Sequence, residues 1–298
     1  MPFFFYGGPG YHSTRSFQAA WDLGHILFFA IATVWVFRRV REKVERWPFL
    51  RLFLSFFAAV LIVGVLIEFL QSFISGRLPD VMDVLRNQLG CLIAFSWCIR
   101  PIQRNNSLTL HALFRGSSLL LFLVAVWPLT RAIIDESLAT HQFPVLADFE
   151  TPFERYRLIN ERQMQKETTL VRHGKNAMRV RLSTAKYSGV ALFYFPGNWQ
   201  GYNSLHYSVY NTQLKPLALN LRINDVEHKQ HGSEFADRFN KRFSLQPGWN
   251  DLVVDLNQVR NAPKDRRMDM EHIEGLGLFV VQQAKPMEII IDHIFLAR

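Results

Sequence analysis

The sequence predicts a two-domain protein, with an all-α four-helix transmembrane domain over residues 1–141 and an all-β sandwich over residues 142–298. Three observations support this prediction. Long apolar segments fill the first 140 residues, whereas apolar and polar residues alternate with a period of two in the remainder. Charged residues are sparser in the first part, which has 13 Lys and Arg and 8 Asp and Glu, than in the second, which has 21 and 17. The total length of 298 residues also suits two domains of about 150 residues each.

Four apolar segments of the first domain are long enough, at about 1.5 Å per helical residue, to cross a hydrocarbon layer about 30 Å thick. These segments are residues 17–37, 49–73, 80–99 and 112–134. The third starts with polar residues, so we expect it to need protein neighbours. Cys91 and Cys98 lie two helical turns apart on it, and because no His or third Cys lies nearby on that span, packing is favoured over a metal site.

The positions of the basic residues indicate the orientation of these segments. Nine Lys and Arg lie in or beside two of the links between spans: Arg38, Arg39, Arg41, Lys43, Arg46, Arg51, Arg100, Arg104 and Arg115. Links rich in Lys and Arg face the cytoplasm. The sequence therefore predicts a multi-pass protein of the cell membrane with both termini outside and an extracytoplasmic C-terminal domain. Because much of the net charge of +9 flanks the membrane, no nucleic-acid partner is expected.

Polar residues recur at helical spacing near the outer ends of the first three spans. They are Asp22 and His25, then Glu68 and Gln71, then Arg77, Asp80, Asp83 and Asn87. An ionisable group inside a span costs about 2.5 to 3.5 kcal/mol, so several at one depth must share partners, water or a ligand. Two interpretations stay open: a polar network that locks the helices together, and a pocket for a lipid head group or a cation. In the second, Arg77 or Arg86 would meet a phosphate or carboxylate, and His25, Glu68, Asp80 and Asp83 are the candidates for acid–base chemistry.

The ordered series Asp22-x-x-His25, Glu68-x-x-Gln71, Gly76-Arg77, Asp80, Asp83, Asn87 and Gly90 resembles the VanZ-like membrane domain. The resemblance covers about residues 15 to 100. It implies an integral membrane protein of the cell envelope, a family linked in some members to teicoplanin and hence glycopeptide resistance. The resemblance thus implies where the protein is located, but it implies no reaction.

The second domain is predicted to be a β-sandwich from its alternating segments. Apolar residues fall on one face in residues 180–182, 205–209, 217–223 and 252–256, and turn signals such as Pro196-Gly197-Asn198 separate the strands. The segment from Phe243 to Leu256, with Asp148-Phe149-Glu150 and residues 291–296, resembles jelly-roll modules of the galactose-binding-like and carbohydrate-binding type. This resemblance implies a jelly roll and, as in some such modules, a structural calcium site at Asp148 and Asp292; no other cofactor is expected.

Sugar binding requires exposed aromatic faces flanked by polar groups. The predicted glycan-binding residues are Trp199, Tyr202, Asn203 and Tyr210, with Tyr187 and Tyr194 as possible neighbours. The alternative for Trp199 and Trp249 is a structural position in the core or at a corner of the sandwich. His228 and His231, in an acidic loop, are interpreted as a solvated loop more readily than as a zinc site, because no helix presents them on one face.

Two functions follow. The first is a non-catalytic envelope protein that binds an envelope polysaccharide, a glycolipid or a lipid-linked head group, with membrane lipids as further partners. The alternative is a membrane enzyme that acts on a lipid-linked or phosphorylated precursor at the outer-leaflet acidic site.

Overall fold

The structure is a computed structural model that describes residues 8–10, 13–74, 79–99, 108–159 and 163–298. Arg77 of the predicted polar site lies outside these residues. The chain forms two compact units, Met1–Ile133 and Ile134–Arg298. The division falls inside the last long helix, eight residues before the domain boundary expected from the sequence. The predicted fold class is confirmed, because the first unit is helical and the second is an antiparallel β-sandwich.

Four helices build the N-terminal part: α1 Arg15–Val44, α2 Phe49–Gln71, α3 Val81–Ile93 and α4 Leu108–Gln142. Among the described residues, α1, α2 and α4 are long and apolar enough to cross a membrane. Helix α3 has only 13 residues and continues as a five-residue π-helix, Ala94–Cys98. That the third segment spans the membrane therefore stays a prediction.

Helix α3 packs against α1 and α2. A close approach to α1 depends on Gly90, because a Cβ atom there would lie 2.5 Å from the Ile26 carbonyl oxygen and 2.9 Å from the Ala30 nitrogen. Asp80 caps the start of α3 by accepting a hydrogen bond from the Met82 N–H at 2.8 Å. These contacts fix the polar first turn of α3 beside its neighbours.

Aromatic rings fill the opposite end of the helical unit. Phe49 and Phe53 of α2 pack against Phe95 of the π-helix and Phe114 of α4, with ring centroids 4.8 to 6.0 Å apart. Trp97 adds a hydrogen bond from its indole nitrogen to the Ser118 hydroxyl at 3.1 Å. Many apolar side chains on α1, α2 and α4 stay exposed, as lipid-facing surfaces do.

The sandwich has two antiparallel sheets. Sheet A has the strand order β3-β4-β11-β6-β9, with β1 also pairing with β11, and sheet B has the order β2-β5-β10-β7-β8. The strands are β1 Val145–Ala147, β2 Leu158–Ile159, β3 Met164–Glu167, β4 Ala177–Leu182, β5 Tyr187–Leu192, β6 Ser204–Asn211, β7 Leu217–Asp225, β8 Phe239–Leu245, β9 Gly248–Asp255, β10 Ile273–Val281 and β11 Met287–Ala297. A short helix, α5 Leu256–Arg260, follows β9.

The alternating apolar residues form the core between the two sheets, as the sequence predicts. In β7 all four residues Leu217, Leu219, Leu221 and Ile223 are buried, and Leu205, Tyr207 and Val209 of β6 face them from sheet A. The residues between them point outward, so each sheet has an outer face that carries polar and aromatic side chains.

Candidate functional sites

The structure brings most of the predicted membrane-domain residues together. His25 of α1 contacts α3 through both ring nitrogens: Nδ1 lies 3.1 Å from Asn87 Oδ1, and Nε2 lies 3.5 Å from Asp83 Oδ2. His25 and Asn87 are buried, which follows from the helical spacing that places them on facing surfaces.

Arg86, which the sequence offers as an anion ligand, is surrounded by carboxylates. Its guanidinium lies 2.5 Å from Asp83 Oδ1, 2.8 Å from Asp22 Oδ2 and 3.6 Å from Asp80 Oδ2. All three carboxylates therefore pair with the positive charge of the Arg86 guanidinium. Arg86 therefore bridges α1 and α3, and its role as an anion ligand stays a prediction.

Glu68 and Gln71 of α2 are also buried. Glu68 Oε2 accepts a hydrogen bond from the Asp80 N–H at 2.7 Å, which joins α2 to the start of α3. Within the described residues, Glu68 Oε1 and Asn87 Nδ2 have no hydrogen-bond partner. The described part of the chain contains no group of three or more His, Cys, Asp or Glu placed to hold a metal ion. The network interpretation accounts for the bonds of His25 to Asp83 and Asn87 and of Glu68 to Asp80, but not for the two unpartnered atoms.

The predicted glycan-binding residues do not form one site. Trp199 is fully buried, so the expectation that it offers an exposed face to a sugar is wrong. Its backbone N–H donates to the Met270 carbonyl at 2.8 Å, and its ring packs against Phe195 with a centroid separation of 5.7 Å. These two contacts hold the loop around Trp199 so that its indole lies in the core.

Tyr202 and Asn203 lie at the end of the sandwich where β6 begins. The Tyr202 ring is partly buried, contacts Phe143 edge-on at 5.4 Å, and is covered by the Arg298 guanidinium at 5.6 Å. Asn203 is exposed. Tyr210 lies near the other end of β6, about 24 Å from Asn203 at about 3.4 Å per residue.

Tyr210 belongs to the outer face of sheet A. It pairs across the strands with Trp249, and the two rings are 5.3 Å apart. Both are partly exposed, so Trp249 does not occupy the core position suggested as its alternative.

A groove of about 370 Å³ lies on the outer face of sheet B, and we call it the sheet B groove. Three aromatic residues line it. Tyr187 and Phe235 expose 62% and 71% of their surface, and Phe279 lies beside Tyr187 with ring centroids 5.9 Å apart. The aromatic faces that sugar binding requires are therefore present on the sheet opposite the one that carries Tyr210.

Polar and basic groups complete the lining of the groove: Asn220, Asn240, Arg238, Lys241 and Arg242. Asn220 donates to the Phe279 carbonyl at 3.3 Å, and Asn240 Nδ2 donates to the Phe235 carbonyl at 3.0 Å. These amides fix the aromatic segments and border the space between them. Among the residues described as lining the groove there is no Asp or Glu.

The acidic loop after β7 is a structural network. Arg266 contacts Asp225, Asp237 and Glu227 at 2.5, 2.7 and 3.3 Å, and His228 Nδ1 lies 3.1 Å from Asp237 Oδ2. The hydrogen bonds from Arg266, together with that of His228, hold the pKa of Asp237 below its usual range despite partial burial. His231, by contrast, is exposed. The solvated-loop interpretation therefore needs correction for His228, which is buried in this network.

Asp148 and Asp292, suggested for calcium, each accept backbone hydrogen bonds. Asp292 Oδ2 accepts from the Arg172 and His173 N–H groups at 2.7 and 2.9 Å, and burial raises the pKa of Asp292. Asp148 Oδ1 accepts from the Glu150 N–H at 3.2 Å. The two carboxylates thus serve to hold separate loops.

Comparison with known protein families gives a match for the N-terminal part of the chain. Residues 4–102 match the family model VanZ/LLP1, which confirms that the N-terminal domain is VanZ-like. No curated protein sequence matches the chain.

Solved structures with some similarity to the C-terminal part include carbohydrate-binding modules. A family 11 carbohydrate-binding module from Clostridium thermocellum, in complex with a β-1,3-1,4-mixed-linked tetrasaccharide, is 14% identical over 51% of this chain and 94% of that chain, with a TM-score of 0.37. A Clostridium thermocellum xylanase fragment, with CBM22-1 and GH10 modules and bound xylohexaose, is 12% identical over 52% of this chain and 28% of that chain, with a TM-score of 0.33. An agarase is 11% identical over 51% of this chain and 26% of that chain, with a TM-score of 0.39.

Proposed function

We propose that this VanZ-like chain is a non-catalytic membrane protein of the cell envelope whose sandwich binds a glycan in the sheet B groove. Residues 4–102 match a membrane family, and three described helices are long and apolar enough to span a bilayer. These observations support the envelope location. The glycan itself is inferred from the chemistry of the groove.

The single observation that carries this proposal is the aromatic surface of the groove. Tyr187 and Phe279 of sheet B, and Phe235 in the turn before β8, offer exposed or half-exposed rings around the groove. Apolar faces of sugar rings pack on such aromatics, while the Asn220 amide oxygen suits a sugar hydroxyl. Core packing does not explain why Tyr187 and Phe235 are exposed beside the groove.

For the polar cluster of the membrane domain we propose a structural role. His25 contacts Asp83 and Asn87 across α1 and α3, Arg86 joins Asp22 of α1 to Asp83 of α3, and Glu68 joins α2 to the start of α3. Intramembrane polar contacts of this type each stabilise helix association by about 0.6 kcal/mol on average. The membrane domain then anchors the sandwich, which we place on the extracytoplasmic side.

The test compares two tyrosines on opposite sheets. Full-length protein in nanodiscs of neutral lipid would be titrated with a panel of neutral and acidic soluble polysaccharides. Tyr187→Ala should weaken binding to the best ligand about tenfold, because a lost aromatic contact of about 1.4 kcal/mol corresponds to that factor. Tyr210→Ala is the matched control and should change affinity less than twofold. Loss of binding in Tyr210→Ala with none in Tyr187→Ala, or no binding to any polysaccharide, would contradict the proposal.

A further inference from the structure

We infer that the sheet B groove takes an acidic glycan, a polymer that carries carboxylate or phosphodiester groups. This inference rests on the proposed glycan binding and names the chemical class of the ligand. It starts from the cations of the groove, because Arg238, Lys241 and Arg242 line it without an accompanying carboxylate among the described residues.

The strand register concentrates positive charge at the groove. On β7 and β8, Asn220 pairs with Arg242 and Arg222 pairs with Asn240. Arg222 and Arg242 are therefore diagonal neighbours on one face, with Cα atoms about 7 to 8 Å apart. On β10, Phe279 pairs with Asn220, so an aromatic ring, an amide and a guanidinium form one row across three strands.

Three of the acidic residues near in sequence already contact another arginine. Asp237, next to Arg238, contacts Arg266 at 2.7 Å, and Asp225 and Glu227 contact the same guanidinium. In the described part of the chain, no carboxylate lies within 4.0 Å of a side-chain nitrogen of Arg222, Arg238 or Arg242. Among the described residues, no carboxylate therefore pairs with their charge.

The Arg238 guanidinium is partly buried without a carboxylate partner among the described residues. Its Nε donates to Asn240 Oδ1 at 3.1 Å, and its guanidinium lies 5.4 Å from the Phe235 ring centroid, so both partners are neutral. Burial and the like charge of Arg222 lower the pKa of Arg238. A bound anion would relieve this repulsion through charge-assisted hydrogen bonds, which guanidinium groups form well with carboxylates and phosphates.

The combination favours a glycan over other anions. A lipid surface would use cations and apolar side chains on a convex tip, whereas these rings and amides border a groove of about 370 Å³ along the sheet. The rings of Tyr187, Phe235 and Phe279 suit the apolar faces of sugars, and the guanidinium groups beside them suit acidic substituents of the same glycan.

The experiment uses full-length protein in nanodiscs of phosphatidylcholine. Affinity is measured for polygalacturonate, for a poly(glycerol phosphate) and for a neutral mixed-linked β-glucan, each at 50 and 500 mM NaCl. Arg242→Gln and Arg238→Gln are compared with Arg181→Gln, an exposed arginine on sheet A, as the matched charge control. Phosphatidylglycerol vesicles provide the lipid comparison.

We expect one of the two acidic polymers to bind at least tenfold more tightly than the neutral glucan, and the polymer that does so distinguishes carboxylate from phosphodiester recognition. Arg242→Gln and Arg238→Gln should each weaken this binding at least fivefold, Arg181→Gln less than twofold, and 500 mM salt should weaken it further because exposed charges are screened. Equal binding of neutral and acidic polymers, with loss only in Tyr187→Ala, would overturn the inference and leave the proposed function intact. Absence of all glycan binding would overturn both, and an Arg242 dependence seen only with anionic vesicles would overturn the inference in favour of a lipid surface.

Discussion

Arg157 and Asp135 are the most deeply buried ion pair described in the C-terminal unit, with both side chains fully inaccessible. The Arg157 guanidinium lies 2.9 Å from Asp135 Oδ1 and donates to the Leu146 carbonyl at 2.9 Å and to Gln142 Oε1 at 3.2 Å. It thereby joins the last turns of α4 to β1. Arg157→Ala would remove the buried guanidinium that pairs with Asp135 and should lower the free energy of unfolding by about 3 to 5 kcal/mol. Denaturant unfolding of the full-length protein measures this.

The control for that prediction is Arg181→Ala, because Arg181 is exposed and its pair with Glu288 at 3.4 Å is solvated. Exposed pairs contribute about 0 to 1 kcal/mol. Equal stability of Arg157→Ala and Arg181→Ala would show that the Arg157 pair does not hold the end of α4.

Individual aromatic residues were harder to place from the sequence than whole strands. Trp199 sits in a polar, glycine-containing loop and resembles a surface residue, but a backbone hydrogen bond to Met270 and contact with Phe195 turn it inward. Tyr187 and Phe279 are 92 positions apart and meet only because β5 and β10 pair. Strand order and register depend on tertiary packing, so the local periodicity of the sequence does not predict them.

Among the elements, the β3–β4 hairpin depends on one carboxylate. Glu167 Oε1 accepts N–H groups of Thr168, Thr169 and Leu170, and Oε2 contacts Arg179, which also contacts Glu288 of β11. The Thr169 N–H, followed by Arg179, lowers the pKa of Glu167 to about 2. Because the folded pKa is below the unfolded value, this carboxylate stabilises the fold above about pH 4.5, and the contribution is lost as the pH falls towards 2.

Glu167→Gln should therefore reduce stability at pH 7 and flatten the loss of stability between pH 6 and pH 3 by about 2 kcal/mol relative to the wild type. Unfolding free energies at both pH values measure the difference. Glu271→Gln, an exposed acid, is the control. If Glu167→Gln lost as much unfolding free energy between pH 6 and pH 3 as the wild type does, another group would be responsible for the loss of stability in acid.

The contact between α1 and α3 depends on Gly90, where a Cβ atom would lie 2.5 Å from the backbone of Ile26. Gly90→Ala should destabilise the helical unit by about 1 to 3 kcal/mol, as overpacking does. Gly24 of α1 has no atom within 4 Å of the corresponding position, so Gly24→Ala should be neutral or slightly stabilising. Thermal unfolding in detergent measures both, and equal stability of the two variants would contradict the close packing.

Element types followed well from the sequence where the pattern was strong. The alternation in β6, β7 and β9 and the apolar runs of α1, α2 and α4 predicted those elements, because each has one dominant environment. Helix α3 was less clear, since its first turn carries Asp80 and Asp83, and the structure gives it 13 residues followed by a π-helix. The convergence of His25, Asp83 and Asn87 followed from helical spacing, whereas the role of Arg86 as the common partner of three carboxylates needed the packed helices.

For the whole molecule, the positive residues between the spans predict that both termini face outward. A reporter that is active only in the cytoplasm, fused after Arg298, should stay silent, and the same reporter inserted in the link after Arg46 should be active. A strong signal from the C-terminal fusion would contradict the extracytoplasmic placement of the sandwich and with it access to envelope glycans.

The most direct test of glycan binding is the position of a bound acidic oligosaccharide in a crystal structure of its complex with the protein. The proposal predicts a sugar ring against Tyr187 or Phe279, with an acidic substituent within hydrogen-bond distance of Arg238 or Arg242. An oligosaccharide bound instead beside Tyr202 and Asn203, or against Tyr210 and Trp249 on sheet A, would contradict it.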